Sequence, residues 1–245
     1  MADLIINKNP KSMFSEAIKT IRTNLAFSSL GDKLTVILNT SPEAGDGKSF
    51  ISANLALAYA EEGKKVLLID CDLRKGRQHE IFKVENSIMH GYSNLILNYN
   101  KYTNLDEYIV RTENKKVFLL PTGPMPPNPV ELLNSANNKE LLEEFRENFD
   151  IIILDCPPVV GLSDTLVLTK YSDANIVIVS NKKTRLENLE RTKKAFEQIG
   201  SKITGVVINK TAISDNSYYG YYCNDDYYYD NNKTKKGKKT KRKNK

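Results

Sequence analysis

The stretch Ser41-Pro-Glu-Ala-Gly-Asp-Gly-Lys-Ser49 constrains the fold of this 245-residue chain more than any other. An apolar segment of strand length, residues 34–39, precedes it, and residues 49–62 follow it with apolar side chains at helical spacing. A glycine-rich turn between a buried strand and a helix is the context of a phosphate-binding loop. The pattern G-x-x-x-x-G-K-[ST] is not complete, because Pro42 stands where the first glycine belongs. We predict a nucleotide site here; an ordinary surface turn is the alternative.

The residues of this loop supply the chemistry that phosphate binding needs. Glycines allow the dihedral angles with which successive backbone N–H groups surround phosphate oxygens, and the helix N-terminus adds partial positive charge. The ammonium of Lys48 reaches the β- and γ-phosphates, and the Ser49 hydroxyl is a ligand for Mg²⁺. Lys48 is therefore expected to be exposed in the site.

Aspartates follow two other strands of the predicted sheet. Four apolar residues at 66–69 precede Asp70 and Asp72, and four at 151–154 precede Asp155, which is the Walker B pattern. Ligands of open α/β sheets bind at the carboxyl ends of the strands, so all three carboxylates should face the phosphates. The alternative for Asp70 and Asp72 is a helix N-cap and a solvated acid.

The alternation of strands and helices predicts an α/β fold of the P-loop NTPase type, with a mostly parallel sheet flanked by helices. Thr184 and Glu187 have the spacing of a capping box, and Gly63 and Gly200 are expected at helix C-termini. The remaining strands are expected at 117–120, 174–180 and 203–209 and the helices at 78–82, 92–97, 129–133, 139–148, 162–170 and 184–199, with a weak strand or helix at 105–110.

Charge and composition divide the chain into a domain, residues 1–212, and a tail, residues 213–245. The formal net charge is +6, but residues 233–245 carry nine lysines and arginines and no acids, so the rest of the chain has a net charge of −3. Few aliphatic residues occur in the tail, which is therefore predicted to be disordered. Seven of the 13 tyrosines lie there, a composition that fits a phosphorylation substrate, an aggregating segment or a surface for stacked bases. They are Tyr218, Tyr219, Tyr221, Tyr222, Tyr227, Tyr228 and Tyr229.

No apolar run of 18 residues and no signal-peptide pattern occurs in the sequence,. The three cysteines, Cys71, Cys156 and Cys223, have no metal-like spacing, so reduced thiols in a cytosolic protein are expected.

An amphipathic helix is predicted over residues 12–29 at the N-terminus. Its apolar face carries Phe14, Ile18, Ile21 and Leu25,. A second row, at three-residue spacing, consists of Glu16, Lys19 and Arg22. From the residues alone this row is a solvated face.

The chain resembles the bacterial protein-tyrosine kinases (BY-kinases), in the single-domain Gram-positive form that acts in capsular and exopolysaccharide synthesis. The resemblance covers nearly the whole chain. It rests on the loop 41–49, the stretch Leu68-Ile-Asp-Cys-Asp-Leu-Arg74, the Walker B strand, the segment 126–133, the row on the N-terminal helix and the tyrosine-rich tail. Lys19 stands where the family usually has arginine, and Ala44 stands where it usually has proline.

This resemblance implies transfer of the γ-phosphoryl group of ATP to tyrosine. Lys48 and Arg74 would neutralise phosphate charge, Asp72 would accept the tyrosine proton, and Asp70 would support metal or water. Mg²⁺ would be organised by Ser49, Asp70 and Asp155. The residues expected to bind the nucleotide are Gly45, Asp46, Gly47, Lys48, Ser49, Phe50 and Asn209.

The resemblance also implies partners. The row Glu16, Lys19 and Arg22 would join subunits into a ring, and the tail would be the substrate of a neighbouring subunit. A transmembrane activator of polysaccharide synthesis would complete the nucleotide site and recruit the cytoplasmic kinase to the inner face of the plasma membrane. Other protein substrates are expected, and no specific nucleic acid.

Two other functions are compatible with parts of the sequence. A MinD/ParA-type positioning ATPase shares the fold but carries a signature lysine four residues before the glycine of Gly-Lys-Ser, where this chain has Glu43. A nucleic-acid binder could use the tyrosines and lysines of the tail, but the acidic domain opposes it.

Overall fold

A computed structural model describes residues 4–28, 33–84 and 90–211, and these carry a seven-stranded α/β fold. The strands, in chain order, are β1 Val36–Thr40, β2 Val66–Asp70, β3 Val110–Arg111, β4 Val117–Leu120, β5 Ile151–Asp155, β6 Ala174–Ser180 and β7 Gly205–Asn209. Their spatial order is β3-β4-β2-β5-β1-β6-β7. Within the described ranges only β3, a short edge strand, pairs antiparallel with its neighbour; every other pairing there is parallel. The predicted fold class is confirmed.

The central strands form because their apolar runs are buried on both faces of the sheet. All residues of β1, β2 and β5 are buried, as expected for parallel strands covered by helices on each side. Register aligns Asp70 directly with Asp155 and Asn39 with Asp155. Three strands therefore end at one level of the sheet, and their polar side chains meet there.

Helices cover both faces of this sheet. They are α1 Ile5–Lys8, α2 Met13–Ser28, α3 Lys48–Glu61, α4 Gln78–Phe82, α5 Tyr92–Asn98, α6 Pro129–Leu133, α7 Ala136–Asn148, α8 Asp164–Leu168 and α9 Leu186–Gln198, with 3₁₀ turns at Leu105–Glu107 and Thr169–Tyr171. One core lies under α1, α2 and α3, and the other under α5, α6 and α7. Helix α3, which follows the loop 41–49, is buried along nearly its whole length.

Most predicted elements are found within two or three residues of their expected bounds. The region 105–110 holds a 3₁₀ turn at Leu105–Glu107 and, at Val110, the first residue of β3, and the helix expected at 162–170 is only five residues of α8 plus a 3₁₀ turn. Glycines 63 and 200 have positive φ just past α3 and α9, as expected for C-terminal positions,. The capping box at Thr184 is wrong, because α9 begins after Arg185 and the Thr184 hydroxyl donates to Asp46 instead.

Helix α2 packs on α3, and this contact uses part of the charged row. Arg22 Nη1 donates to the Ala58 carbonyl at 2.5 Å, and Nη2 forms an ion pair with Glu62 at 2.9 Å. Lys19 contacts Glu16 at 3.1 Å. The row is thus partly engaged within its own chain, and its role between subunits stays a prediction.

Within the described ranges, none of the helices has both the length and the apolar character needed to cross a bilayer. Cys71 and Cys156 are buried free thiols. The tail, with its seven predicted phosphoacceptor tyrosines and Cys223, lies outside the described residues, as does Ser29 at the end of the predicted N-terminal helix.

Candidate nucleotide and phosphoryl-transfer site

The loop between β1 and α3 has the backbone that a phosphate-binding loop needs. Gly45 and Gly47 have φ of +85° and +96°, in the left-handed region that favours glycine,. A Cβ at Gly47 would lie 2.1 Å from the side-chain Nδ2 of Asn209, so any other residue there would displace that side chain. Helix α3 starts at Lys48, directly after the second glycine, and directs its N-terminus at the loop,.

Three donors from distant parts of the chain bind three successive carbonyls of this loop, and we call them the carbonyl clamp. Lys183 Nζ donates to the Ala44 carbonyl at 3.2 Å, Lys210 Nζ to Gly45 at 2.7 Å, and Asn209 Nδ2 to Asp46 at 2.9 Å. Fixing the carbonyls on one side of the loop turns the N–H groups toward the other side, where an anion binds. The clamp therefore supports a loop conformation suited to phosphate.

Two acidic side chains of the loop accept hydrogen bonds from other residues of the same chain. Asp46 is buried and accepts from the Glu43 amide at 3.0 Å and from the Thr184 hydroxyl at 2.8 Å. Glu43 accepts from Asn188 at 2.8 Å, and this bond lowers the pKa of its carboxyl group. The Asp46 carboxylate thus stabilises the loop rather than facing a ligand, and only its backbone remains available to a nucleotide.

Lys48 lies among the carboxylates at the strand ends. Its Nζ is 3.1 Å from Asp72 Oδ2 and 3.8 Å from Asp155 Oδ1, and only 10% of the side chain is exposed. Burial alone would lower the pKa of Lys48, but the charges of Asp155, Asp72 and Asp70 outweigh it and raise that pKa. The expectation of an exposed lysine is wrong, because Asp72 and Asp155 neutralise the ammonium within the site.

The carboxylates of β2 and β5 are held in place by a network of buried polar side chains. Asp155 accepts from the Ser52 hydroxyl at 3.2 Å and from Gln78 Nε2 at 2.8 Å. Asp70 Oδ2 accepts a hydrogen bond from the backbone N–H of Gln78 at 2.9 Å. Burial and the neighbouring charge of Asp155 raise the pKa of Asp70 to about 8. The site therefore holds more acidic groups than the single ammonium of Lys48 can neutralise.

These acidic groups can be compared with the ligands that Mg²⁺ prefers. Among the described residues, no group of three His, Cys, Asp or Glu side chains is arranged to hold a metal by itself. Mg²⁺ prefers one or two carboxylates, with waters and phosphate oxygens completing an octahedron. Gln78 Oε1 is buried beside these acids and accepts no hydrogen bond from the described residues, as expected where a hydrated cation would supply donors. The donor set fits.

Arg74 is bound to an aspartate that the sequence did not single out. Its Nε donates to Asp164 Oδ2 at 3.0 Å and its Nη2 to Oδ1 at 3.4 Å, and Asp164 is buried. The hydrogen bond to Asp164 raises the pKa of Arg74. Nη1 has no hydrogen-bond partner in the described part of the chain, so the pair orients the guanidinium without using all its donors.

A cavity of about 930 Å³ joins the loop to these side chains. Lys48, Ser49, Asp72 and Arg74 all line it. Phe50 lines it as well, with its ring 5.1 Å from that of Phe14. The predicted residues Gly45 and Gly47 also border this cavity, whereas Asp70 and Asp155 are fully buried behind Lys48 and Asn209 lies on the clamp side of Gly47.

Sequence patterns missed several residues that shape this site. Ser52 and Asn188 lie on helices, and their positions carry no motif. Lys183 and Lys210 are ordinary surface lysines by composition, and Asp164 looks like a helix N-terminal acid. Gln78 was expected in a short helix, which is confirmed, but its contact with Asp155, 77 residues away, has no local signal.

Comparison with known proteins gives consistent matches over most of the chain. The AAA domain family matches residues 34–208. The tyrosine-protein kinase YwqD of Bacillus subtilis (strain 168) is 38% identical over 220 residues, covering 90% of this chain and 91% of YwqD. The tyrosine-protein kinase CpsD of Streptococcus agalactiae is 34% identical over 84% of this chain and 89% of its own length.

Solved structures agree with these matches. The crystal structure of the chimerical protein CapA2B2 superposes with a TM-score of 0.79 at 35% identity, covering 86% of this chain and 90% of that one. The MinD/ParA alternative is not supported: its signature lysine position is Glu43, whose carboxylate is held by Asn188 within this chain.

Proposed function

The chain belongs to the bacterial tyrosine-protein kinases, within the AAA domain family, and on this premise we propose that it transfers the γ-phosphoryl group of ATP to the tyrosines of its own tail in a neighbouring copy. In this way it regulates capsular or exopolysaccharide synthesis. The observation that carries the proposal is the junction of a phosphate-binding loop with Asp72 in one cavity, because such a junction brings a nucleotide and a proton acceptor together.

Lys48 exchanges partners when the nucleotide binds. In the structure its ammonium is paired with Asp72 at 3.1 Å. A triphosphate in the loop offers oxygens that compete with Asp72 for the ammonium. The backbone N–H groups of the loop, which lie opposite the carbonyls bound by the clamp, bind the same anion. As Lys48 moves to the phosphates, it leaves the Asp72 carboxylate free to accept a proton.

Asp72 then acts as the proton acceptor for the substrate tyrosine. Its Oδ1 accepts from the Lys75 amide at 3.0 Å, which keeps the carboxylate oriented toward the cavity. The tyrosine hydroxyl loses its proton to Asp72 as its oxygen bonds to the γ-phosphorus, and the bond from that phosphorus to the β–γ bridging oxygen breaks. Arg74, oriented by Asp164, stabilises the charge that spreads over the transferred group.

Mg²⁺ would be held by the Ser49 hydroxyl together with Asp155 and Asp70, whose oxygens suit a hard cation. When bound, it neutralises phosphate charge. Ser52 and Gln78 hold the Asp155 carboxylate through hydrogen bonds, so it does not have to reorganise on binding,.

The finer biology follows the same proposal. The kinase assembles as a ring through Glu16, Lys19 and Arg22, is cytoplasmic, and is recruited to the inner face of the plasma membrane by a transmembrane activator that completes the nucleotide site. The basic end 233–245 attracts anionic lipid,. Other protein substrates are phosphorylated by the same site.

A mixing experiment tests both the chemistry and its direction. One variant carries Asp72→Asn, which keeps the shape of the side chain but cannot accept the proton; the other carries phenylalanine at all seven tail tyrosines. Each protein is incubated with ATP, Mg²⁺ and an activator segment, alone and mixed, and the tails are analysed by mass spectrometry. We expect phosphotyrosine on the Asp72→Asn chain only in the mixture.

The result separates three cases. Phosphotyrosine on the isolated Asp72→Asn chain at the wild-type rate contradicts the role of Asp72. Absence of phosphotyrosine from the mixture, while wild type modifies its own tail, contradicts transfer between copies. Wild-type protein that binds nucleotide but never forms phosphotyrosine contradicts the proposed function itself.

A further inference from the structure

We infer that the turn Arg74-Lys75-Gly-Arg77, which we call the cationic turn, selects acceptor tyrosines that have acidic neighbours in the sequence. This inference rests on the proposed function, since it concerns the tyrosine substrate of the same site. Three positive side chains of the turn line the cavity on the Asp72 side of the phosphate loop. An extended acidic peptide that brings its tyrosine to Asp72 must pass them.

The cationic turn is held rigidly against Asp70, the last residue of β2, and Asp72, which follows the strand. The Lys75 amide donates to both the carbonyl and Oδ1 of Asp72, at 3.1 and 3.0 Å. A Cβ at Gly76 would lie 2.1 Å from Thr122 Cγ2 and 2.7 Å from Asp70 Oδ2, so the backbone approaches β2 as closely as glycine allows. The distance between the turn and the proton acceptor is therefore fixed by the fold.

The cations of the turn differ in how strongly they are engaged. Arg74 is bound to buried Asp164 through Nε and Nη2. Arg77 pairs with Glu80, but both side chains are largely exposed, and exposed pairs of this spacing are weak,. Lys75 is exposed and has no hydrogen bond or ion pair from its ammonium to the described residues. A carboxylate from a peptide can thus bind Lys75 directly and compete for Arg77.

Geometry sets which peptide positions these cations read. An extended chain advances about 3.3–3.6 Å per residue, so acids one or two positions from the tyrosine lie within about 7 Å of it. The backbone N–H of Lys75 is hydrogen-bonded to Asp72, and the Lys75 side chain reaches over a distance similar to those one or two peptide residues,. The Phe50 and Ile81 side chains, which also line the cavity, offer apolar contact to the tyrosine ring.

The sequence of the tail meets this requirement unequally. Tyr227, Tyr228 and Tyr229 each have an aspartate within two positions, supplied by Asp225, Asp226 and Asp230. No acid lies within two positions of Tyr218, Tyr219, Tyr221 or Tyr222. The inference therefore divides the tyrosines into a preferred group, 227–229, and a slower group, 218–222.

Two synthetic peptides test this selectivity. Both span residues 224–233 with phenylalanine for Tyr227 and Tyr229, so that one acceptor remains; the second also has asparagine for the three aspartates. We expect the KM of the acidic peptide to be about five- to tenfold lower, since each exposed ion pair contributes a small factor. A labelled acidic peptide without tyrosine should bind with the same preference in the presence of ADP, measured by fluorescence anisotropy.

Enzyme variants assign the preference to the cationic turn. Lys75→Gln combined with Arg77→Gln should remove the difference between the two peptides while leaving the KM for ATP unchanged. Lys115→Gln combined with Arg111→Gln removes the same charge near β3, at the far edge of the sheet, and should keep the preference. All reactions are run in parallel at 50 and 300 mM salt, where the preference should shrink as ion pairs are screened.

Each outcome bears on one of the two claims. Equal KM values for the peptides on wild type, or a preference that survives in Lys75→Gln/Arg77→Gln, overturn the inference while tail phosphorylation still supports the kinase. A rise in the KM for ATP with no change in peptide preference overturns it too, because the cations then serve the nucleotide. Failure of wild type to phosphorylate its tail or either peptide overturns the proposed function, and the inference with it.

Discussion

Replacing Lys48 by methionine should unfold the protein more easily as well as abolish nucleotide binding. Methionine keeps the length and the apolar stem of lysine but removes the ammonium that lies 3.1 Å from Asp72 and 3.8 Å from Asp155. Both carboxylates are buried, and Asp70 lies behind them with no exposed surface. The variant therefore leaves a group of buried acids without a cation.

The size of the effect follows from this burial. Removing one partner of a buried ion pair costs about 3–5 kcal/mol of folding free energy. For a chain of this size, 1 kcal/mol corresponds to about 2–4 °C in Tm, so we expect a fall of about 10 °C at pH 8.5.

The loss should depend on pH in a defined direction. The folded-state pKa of Asp70 is raised to about 8 by burial and by Asp155, while Lys48 acts to lower it. A raised pKa gives stability that is complete below the unfolded pKa, near 4, and is lost as pH rises through 8. Without Lys48 the pKa of Asp70 moves further up, so a proton can replace the missing ammonium. The fall in Tm should shrink clearly between pH 8.5 and pH 6.

Thermal unfolding by circular dichroism, in a chelating buffer without nucleotide, measures both quantities. Lys139→Met changes an exposed lysine of α7 and should leave Tm nearly unchanged at either pH. Adding Asp72→Asn to Lys48→Met removes one of the orphaned carboxylates and should recover part of the loss at pH 8.5. An unchanged Tm in Lys48→Met, or a fall of the same size at both pH values, would refute the reasoning.

Three further changes test other parts of the structure. Gly47→Ala should weaken ADP binding about 10- to 100-fold in calorimetry, because its Cβ would overlap the Asn209 side-chain amide of the clamp, whereas Gly161→Ala, at φ +86° in open space, should bind normally,; equal binding contradicts the close contact. Asp164→Asn should lower kcat several-fold with little change in the KM for ATP, since it removes the charge that orients Arg74; a change in KM alone argues for a role in binding instead,. Alanine at all three charged-row positions should give monomers in light scattering, together with a Tm about 2–6 °C lower because contacts to α3 are lost; an unchanged mass contradicts the ring interface. These positions are Glu16, Lys19 and Arg22.

The framework of the fold was predictable because its signals are local. Four apolar residues followed by an aspartate occur at both β2 and β5, and a buried parallel strand is the structure that such a run favours,. Parallel strands bring their carboxyl ends to one edge, so the meeting of Asp70, Asp72 and Asp155 near Lys48 could be expected from the sequence alone. The loop backbone followed from its glycines in the same way.

The parts that escaped prediction depend on contacts between distant residues. Lys210 and Gly45 are 165 positions apart, and Arg74 and Asp164 are 90 apart. Thr184 had the spacing of a capping box, but the buried acceptor Asp46 competed for its hydroxyl, and tertiary contact overrode the local motif,. Lys48 was expected in solvent because the motif defines its role toward phosphate and contains no information about its carboxylate partners within the chain.

The carbonyl clamp links nucleotide occupancy to the cohesion of the last strand. Asn209 is the last residue of β7 and Lys210 follows it, and among the described residues β7 is an edge strand that pairs only with β6. Edge strands open locally at lower free energy than central ones, and opening of this strand withdraws two of the three donors from the loop. By thermodynamic linkage, a nucleotide that favours the clamped loop must slow hydrogen exchange in β7 by the same factor by which an intact β7 tightens the nucleotide. Opening of β7, the last strand before the tail in the sequence, and nucleotide binding at the phosphate loop are thus thermodynamically coupled, although Lys210 and Gly45 are 165 positions apart.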